Sequence, residues 1–138
     1  MFRGILVDTG PLVAILFARD EQHARCTRAL ESIQPPMRTC WPVLTEAAWL
    51  LRRDPIAVKR LLSSVQEGWL ELVPLDAGAA EPIARILEKY RSLDPQLADA
   101  ALVHIAEREK VDTIFTLDRR DFSIYRINGR RRFRILPE

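Results

Sequence analysis

The chain lacks an apolar stretch of the roughly 20 residues that a membrane helix requires, and its first residues lack the apolar region of a signal peptide. We therefore expect a cytoplasmic protein with no membrane contact. Cysteine and histidine are scarce, with two of each. Because Cys26 and Cys40 form no Cys-x-x-Cys pair and no Cys/His cluster, they argue against a zinc site and favour free, buried thiols.

Glycine is also rare, at five of 138 residues, and no segment is of low complexity. Hydrophobic residues make up 48% of the chain, which favours a compact fold with one substantial core. The length predicts a single domain spanning residues 1–138, with no room for a second.

The net charge is only +2, but arginine is concentrated near the end of the chain. Such a basic segment permits a polyanionic partner without proving one, because a solvated tail is also often basic. Its members are Arg119, Arg120, Arg126, Arg130, Arg131, Arg132 and Arg134.

An acid follows the first apolar stretch of the chain. Residues 4–7 read as a buried strand that ends at Asp8, and Gly10 and Pro11 then predict a turn and a helix whose first residue is Pro11. Asp8 would lie at the carboxyl end of its strand, where open α/β sheets bind their ligands. The alternative for Asp8 is a helix cap.

Strands and helices are predicted to alternate along the rest of the chain. This alternation implies crossover connections and therefore an α/β fold, a three-layer α/β/α sandwich with a mostly parallel central sheet. The predicted strands are residues 37–40, 69–74 and 111–117, with an edge strand at 132–136 after an Asn128-Gly129 turn.

Two acids lie on apolar stripes of predicted helices. Glu46 and Asp99 would each sit about one turn into helices that begin at Pro42 and Pro95, which is too far in for a cap. A buried carboxylate without a partner costs several kcal/mol. Each position therefore implies a nearby cation or metal ion.

Two more acids follow the predicted strand 111–117, Asp118 directly and Asp121 three residues later. Because the carboxyl ends of parallel strands meet at one edge of a sheet, we expect Asp118 near Asp8. Converging carboxylates without histidine or thiolate ligands suit Mg²⁺ or Mn²⁺. The predicted chemistry is metal-assisted hydrolysis of a phosphodiester.

Four short motifs carry these acids: Val-Asp-Thr at 7–9, Leu-Thr-Glu at 44–46, Leu-Ala-Asp-Ala-Ala at 97–101 and Thr-Leu-Asp-Arg-Arg-Asp-Phe at 116–122. In this order and at these spacings the set resembles the acidic signatures of the PIN-domain nucleases, and most of all the VapC toxins of toxin–antitoxin pairs. The resemblance covers nearly the whole chain. It implies a Mg²⁺- or Mn²⁺-dependent endoribonuclease, an RNA substrate, a homodimer and a cognate antitoxin.

The resemblance also assigns roles to individual residues. Thr9 and Thr116 would hold carboxylates in place through hydroxyl hydrogen bonds. The catalytic and metal-site residues would be Asp8, Glu46, Asp99 and Asp118, with Asp121 as an outer metal-site residue.

Other residues near the motifs are less clear. Arg119 and Arg120 would either contact a substrate phosphate or only balance the neighbouring acids. Many relatives have an extra acid three residues before the third signature acid, but here that residue is Gln96. We interpret the nearby Asp94 mainly as a helix cap.

Two other functions compete with this one. A phosphatase or phosphoryl-accepting receiver also has an acid after its first strand, but its usual second acid is here Gly10. A non-catalytic RNA- or antitoxin-binding module of the same fold would have no need for buried like charges. The tryptophans are expected in the core or at a dimer interface, with the helices after Pro42 and Pro55 as the suggested dimer surface.

Overall fold

The structure, a computed structural model, describes residues 2–138. A central sheet of five parallel strands has the order β5-β4-β2-β6-β9, and two short two-stranded pairs, β1-β3 and β7-β8, lie outside it. The strands are β1 (Phe2–Arg3), β2 (Leu6–Val7), β3 (Ile33–Gln34), β4 (Met37–Thr39), β5 (Leu70–Leu72), β6 (Thr113–Phe115), β7 (Arg126–Ile127), β8 (Arg131–Arg132) and β9 (Arg134–Leu136).

Helices connect the parallel strands and cover the sheet, which confirms the predicted three-layer α/β fold. They are α1 (Thr9–Leu16), α2 (His23–Leu30), α3 (Trp41–Leu50), α4 (Pro55–Gln66), α5 (Ala80–Lys89), α6 (Leu97–Glu109) and α7 (Arg119–Phe122), with 3-10 turns at Ala77–Ala79 and Arg91–Leu93.

The two central strands are buried on both faces, as parallel strands between two helical layers must be. Leu6 and Val7 in β2 and Ile114 and Phe115 in β6 have no exposed surface. Their apolar side chains give these short strands a fixed register, in which Val7 is paired with Phe115. This register fixes the relative positions of the residues that follow the two strands.

The predicted starts of two helices were wrong. The first helix begins at Thr9 and not at Pro11, and α6 begins at Leu97 and not at Pro95. Asp94 is therefore not the cap of α6. It is exposed and lies in the left-handed region with φ 51°, while Gln96 occupies the cap position.

The end of the chain follows the prediction closely. Asn128 and Gly129 both have positive φ, at 53° and 72°, and form the turn of the β7–β8 hairpin. The edge strand β9 pairs with β6 in parallel. The β1–β3 pair was not predicted, because strands of two residues are too short to show an alternating pattern.

Both cysteines are fully buried and unpaired, as predicted. Burial raises the pKa of Cys40 to about 11, so this thiol stays protonated and unreactive at neutral pH. Among residues 2–138, no helix has both the length and the apolar character needed to cross a membrane.

Candidate active site

Asp8 lies at the carboxyl end of β2, and both of its carboxylate oxygens accept hydrogen bonds. The Thr9 N–H donates to Oδ1 at 2.8 Å and the Thr116 hydroxyl donates to Oδ2 at 2.8 Å. Asp8 also donates its own N–H to the Phe115 carbonyl at 2.9 Å. The side chain is only 7% exposed, so it is held in one orientation at the sheet edge. Asp8 occupies the N-cap position of α1, so the predicted alternatives, cap and site residue, are compatible.

Thr116 connects the first acid to the fourth. Its hydroxyl donates to Asp8 and accepts the N–H of Asp118 at 3.0 Å. Asp118 in turn accepts the N–H of Asp121 at 3.2 Å and so caps the short helix α7. The predicted hydroxyl contact of Thr116 is therefore present, and it orients two acids together.

The predicted hydroxyl contact of Thr9 was wrong. Its hydroxyl points away from Asp8 and donates to the Val43 carbonyl at 3.5 Å, a long hydrogen bond that joins α1 to α3. The backbone N–H of Thr9 contacts the carboxylate instead. The reason is that α1 begins at Thr9, whose N–H is then one of the free donors at the helix start.

Asp99 lies nearer to its helix start than expected. It is the third residue of α6, and its carboxylate accepts the Gln96 N–H at 3.1 Å in a capping box. Glu46 lies deeper in its helix, in the second turn of α3. The two acids are therefore not equivalent, and Asp99 is both a cap and a site residue.

The pKa values of Asp8 and Asp99 respond to the charges of the other acids, so these acids lie within electrostatic reach of one another. Burial first, then the charges of Glu46 and Asp118, raise the pKa of Asp8 to about 6 against the lowering effect of its hydrogen bonds. Burial and the charges of Asp8, Asp118 and Glu46 raise the pKa of Asp99 to about 7.

Asp121 lies at the border of this cluster. Its pKa is also raised, first by burial and then by the charge of Asp118, while Arg120 lowers it. Its place one turn after Asp118 agrees with an outer role.

Within residues 2–138, none of the five acids forms a salt bridge; the salt bridges there join other residues. Arg119 donates to the Pro137 carbonyl at 2.6 Å, and Arg120 is exposed. A carboxylate cluster in which Asp8 is buried, the other acids are half-buried and no acid forms a salt bridge in the described part of the chain suits a hard divalent cation chemically. Within residues 2–138, no group of three acid, cysteine or histidine side chains lies close enough together to hold a metal ion.

Two residues that shape the site escaped the sequence analysis. Gly10 was predicted to loosen a turn, but it lies inside α1, where a Cβ would be 3.3 Å from the Leu117 Cβ. Its role is to let the helix approach the residue between Thr116 and Asp118. Tyr125 is fully buried. The sequence gives no signal for its role beyond its place three residues after Phe122, the last residue of the fourth motif.

The PIN-domain family model matches residues 5–128. The chain belongs to the PIN-domain family. It is 33% identical over 135 residues to Ribonuclease VapC26 of Mycobacterium tuberculosis, an alignment that covers 96% of this chain and all of that protein. The resemblance to VapC-type PIN domains drawn from the four acidic motifs is thereby confirmed.

A PIN fold is also found by comparison with solved structures. The crystal structure of VapC20 of Mycobacterium tuberculosis, described as a sarcin–ricin loop cleaving toxin, aligns with a TM-score of 0.71. The alignment covers 80% of this chain and 86% of that one, at 23% identity. At this identity the match supports the fold of the PIN domain.

Proposed function

We propose that this PIN-domain protein is a Mg²⁺- or Mn²⁺-dependent endoribonuclease and the toxin of a toxin–antitoxin pair. The observation that carries the proposal is the cluster of Asp8, Glu46, Asp99 and Asp118, whose charges oppose one another and meet no cationic side chain in residues 2–138. A binding module without catalysis has no physical need for such a cluster.

In this proposal the residues of the site have separate roles. The four acids would hold the cation, with Asp121 outside them, and Thr116 fixes the orientation of Asp8. A divalent cation at such a site stabilises charge on a phosphoryl oxygen and helps a water molecule to ionise. Arg120 is exposed and free to contact a substrate phosphate. Arg119 is the weaker candidate, because its guanidinium already donates to the Pro137 carbonyl.

The first test is cleavage of a structured RNA pool by the purified protein with Mn²⁺ or Mg²⁺. We expect Asp8→Asn to lower the cleavage rate by more than about 100-fold, beyond the roughly 10- to 100-fold that loss of an outer-shell partner of a metal costs. A chelator should abolish cleavage in the same assay.

Asp76→Asn is the matched control. Asp76 is exposed and caps a 3-10 turn by accepting the Gly78 N–H at 2.9 Å, which an asparagine can also do. This variant should cleave like the parent protein. A folded Asp8→Asn variant with full activity would refute the proposed function.

The cation can be identified without RNA. Because an ion that binds only the folded state stabilises it, Mn²⁺ or Mg²⁺ should raise the melting temperature of the parent protein and not that of Asp8→Asn. Equal shifts in both proteins would show that the ion binds elsewhere.

The substrate class is part of the proposal. Since VapC20 is described as cleaving the sarcin–ricin loop, we propose a structured RNA loop of this kind as the first substrate to test. A sarcin–ricin stem-loop and a scrambled strand of equal length would be compared. RNA recognition of this type depends on loop shape, so the scrambled strand should be cut more slowly.

The same proposal includes two protein partners, a cognate antitoxin on a separate chain and a second copy of this chain in a homodimer. It also includes a location in the cytoplasm and a chain that folds as a single domain. Of the two places expected for the tryptophans, the core is excluded, because Trp41, Trp49 and Trp69 are all exposed; a dimer interface stays a prediction. Exposed apolar residues lie along α3 and α4, the suggested dimer surface: Trp41, Trp49, Leu50, Ile56 and Leu62.

A further inference from the structure

Tyr125 is a fully buried residue that the proposed reaction does not use. Its ring lies between those of Tyr90 and Phe122, with centroids 5.0 Å away on either side and nearly perpendicular planes. Its N–H donates to the Asp121 carbonyl at 3.0 Å, so it follows the last acid by one turn. Ring and backbone are both fixed, and the hydroxyl therefore has a fixed position.

The Tyr125 hydroxyl has an unusual environment. In the part of the chain that the structure describes, it is the one buried side-chain oxygen or nitrogen without a hydrogen-bond partner. An unsatisfied buried polar group costs about 1–3 kcal/mol. The neighbouring Tyr90 shows the ordinary situation, because its hydroxyl accepts the Arg126 N–H at 3.0 Å.

The hydroxyl lies within electrostatic reach of the acid cluster. After burial, the charge of Asp99 contributes most to raising the pKa of Tyr125, followed by Asp121, Asp118 and Asp8. Tyr125 therefore stays neutral and keeps its proton. An ionised carboxylate accepts hydrogen bonds only, so the tyrosine can serve this cluster only as a donor.

We infer that Tyr125 is a positioning residue of the metal site, whose hydroxyl donates a hydrogen bond to the Asp99 carboxylate through one intervening water. A bridging water is required because no acid oxygen lies within direct hydrogen-bond distance. This contact would hold Asp99 in the orientation that a cation needs, as outer-shell partners do in metal sites. The inference rests on the proposed metal-dependent function.

A purely structural role makes a different prediction. If only the ring matters, phenylalanine would fill the same space between Tyr90 and Phe122 and nothing else would change. The variant Tyr125→Phe removes one oxygen atom and so separates the two roles.

The test measures Mn²⁺ affinity by calorimetry, and the melting temperature with chelator present. We expect Tyr125→Phe to bind Mn²⁺ about 10-fold more weakly and to cut RNA with a lower kcat and an unchanged KM. Its metal-free melting temperature should stay close to that of the parent protein, because the ring of phenylalanine fills the same space between Tyr90 and Phe122.

Tyr90→Phe is the matched control, with the opposite pattern. It loses the hydrogen bond to the Arg126 N–H, so its metal-free melting temperature should fall while Mn²⁺ affinity stays the same. Unchanged Mn²⁺ affinity in Tyr125→Phe, or equal weakening in both variants, would overturn the inference.

The two proposals fail in distinguishable ways. If the parent protein neither binds Mn²⁺ nor cleaves RNA, the proposed function fails and takes the inference about Tyr125 with it. If the parent is active and Asp8→Asn is not, while Tyr125→Phe matches the parent in both measurements, only the role of Tyr125 is wrong.

Discussion

Two carboxyl groups, those of Asp8 and Asp99, ionise in the folded protein only at a cost in free energy. Asp8 and Asp99 have pKa values of about 6 and 7, against 3.8 for an ordinary aspartate, with burial as the main cause of both shifts. Without a cation, ionising these groups in the folded state costs free energy, whereas ionising them in the unfolded chain does not. These two carboxyls therefore lower the stability of the metal-free fold at neutral pH.

This cost has a defined pH window. Well below pH 4 both carboxyls are protonated in the folded and the unfolded state, and no penalty exists. Between about pH 4 and pH 7 the unfolded chain ionises them while the folded protein keeps them protonated, so stability falls; above about pH 7 both states are ionised and the loss is complete. We expect Asp99→Asn to raise the free energy of unfolding by on the order of 3 kcal/mol at pH 8 and by little at pH 4.

Urea denaturation of parent and variant in the presence of a chelator measures this difference. Asparagine can still accept the Gln96 N–H, so the cap of α6 is preserved. The same gain at both pH values would contradict the assigned cause, because ionisation would then not be involved.

The sequence predicted the site residues better than their contacts. The acids could be proposed because a charged residue after a strand or on an apolar stripe is conspicuous, whereas Thr116 came only from the family resemblance. The role of Asp99 as a cap and the use of the Thr9 N–H could not, because both depend on helix starts that sequence reading leaves uncertain by about two residues. The burial of Tyr125 depends on residues distant in the sequence, such as Tyr90, so no local sequence pattern predicts it.

At the scale of elements, α1 packs tightly against the segment that follows β6. Gly10 is the point of closest approach, since a Cβ there would lie 3.3 Å from the Leu117 Cβ. Leu117 lies between Thr116 and Asp118 in the chain. A displacement of Leu117 would therefore disturb the hydrogen bonds by which the Thr116 hydroxyl orients Asp8 and Asp118.

We expect Gly10→Ala to lower both stability and activity. The overlap with Leu117 should cost about 1–3 kcal/mol, partly offset by the higher helix propensity of alanine, worth up to about 1 kcal/mol. Both effects can be followed by urea denaturation and by the RNA cleavage rate.

The matched experiment adds Leu117→Ala, alone and combined with Gly10→Ala. Alanine keeps the Leu117 Cβ but removes Cδ1 and Cγ, which would lie 3.4 and 3.5 Å from the new methyl group, and the smaller side chain can shift more easily. The double variant should therefore be more stable than the sum of the single effects by about 0.5–3 kcal/mol. Strict additivity would show that Gly10 is not needed for this contact.

Alternation of apolar stretches and helix signals was enough to predict the parallel sheet, since long helices and buried strands have distinct patterns. The β1–β3 pair was invisible, because two residues per strand carry no periodicity. That the whole chain is one domain stays a prediction.

At the scale of the whole molecule, the exposed face of α3 and α4 is the main unexplained surface. Trp49 is 63% exposed, and its indole lies 3.9 Å from the Arg52 guanidinium. Large apolar patches on a protein surface commonly mark interaction sites. A homodimer formed here would bury them.

We expect Trp49→Gln to shift the protein from dimer to monomer, as measured by light scattering after size-exclusion chromatography. Trp69→Gln is the control, because Trp69 is similarly exposed, at 52%, but follows α4 and belongs to neither helix. Surface changes of this kind should alter stability by less than about 0.5 kcal/mol. A monomeric parent, or dissociation caused by the Trp69 change alone, would exclude this surface.

The contact between Asp8 and Thr116 joins residues 108 positions apart. During protein synthesis the first acid leaves the ribosome early, but β6, which aligns it with the fourth acid, is made near the end of the chain. Domains fold as units once their sequence is available. A nascent chain therefore has no assembled acid cluster until β6 has been made.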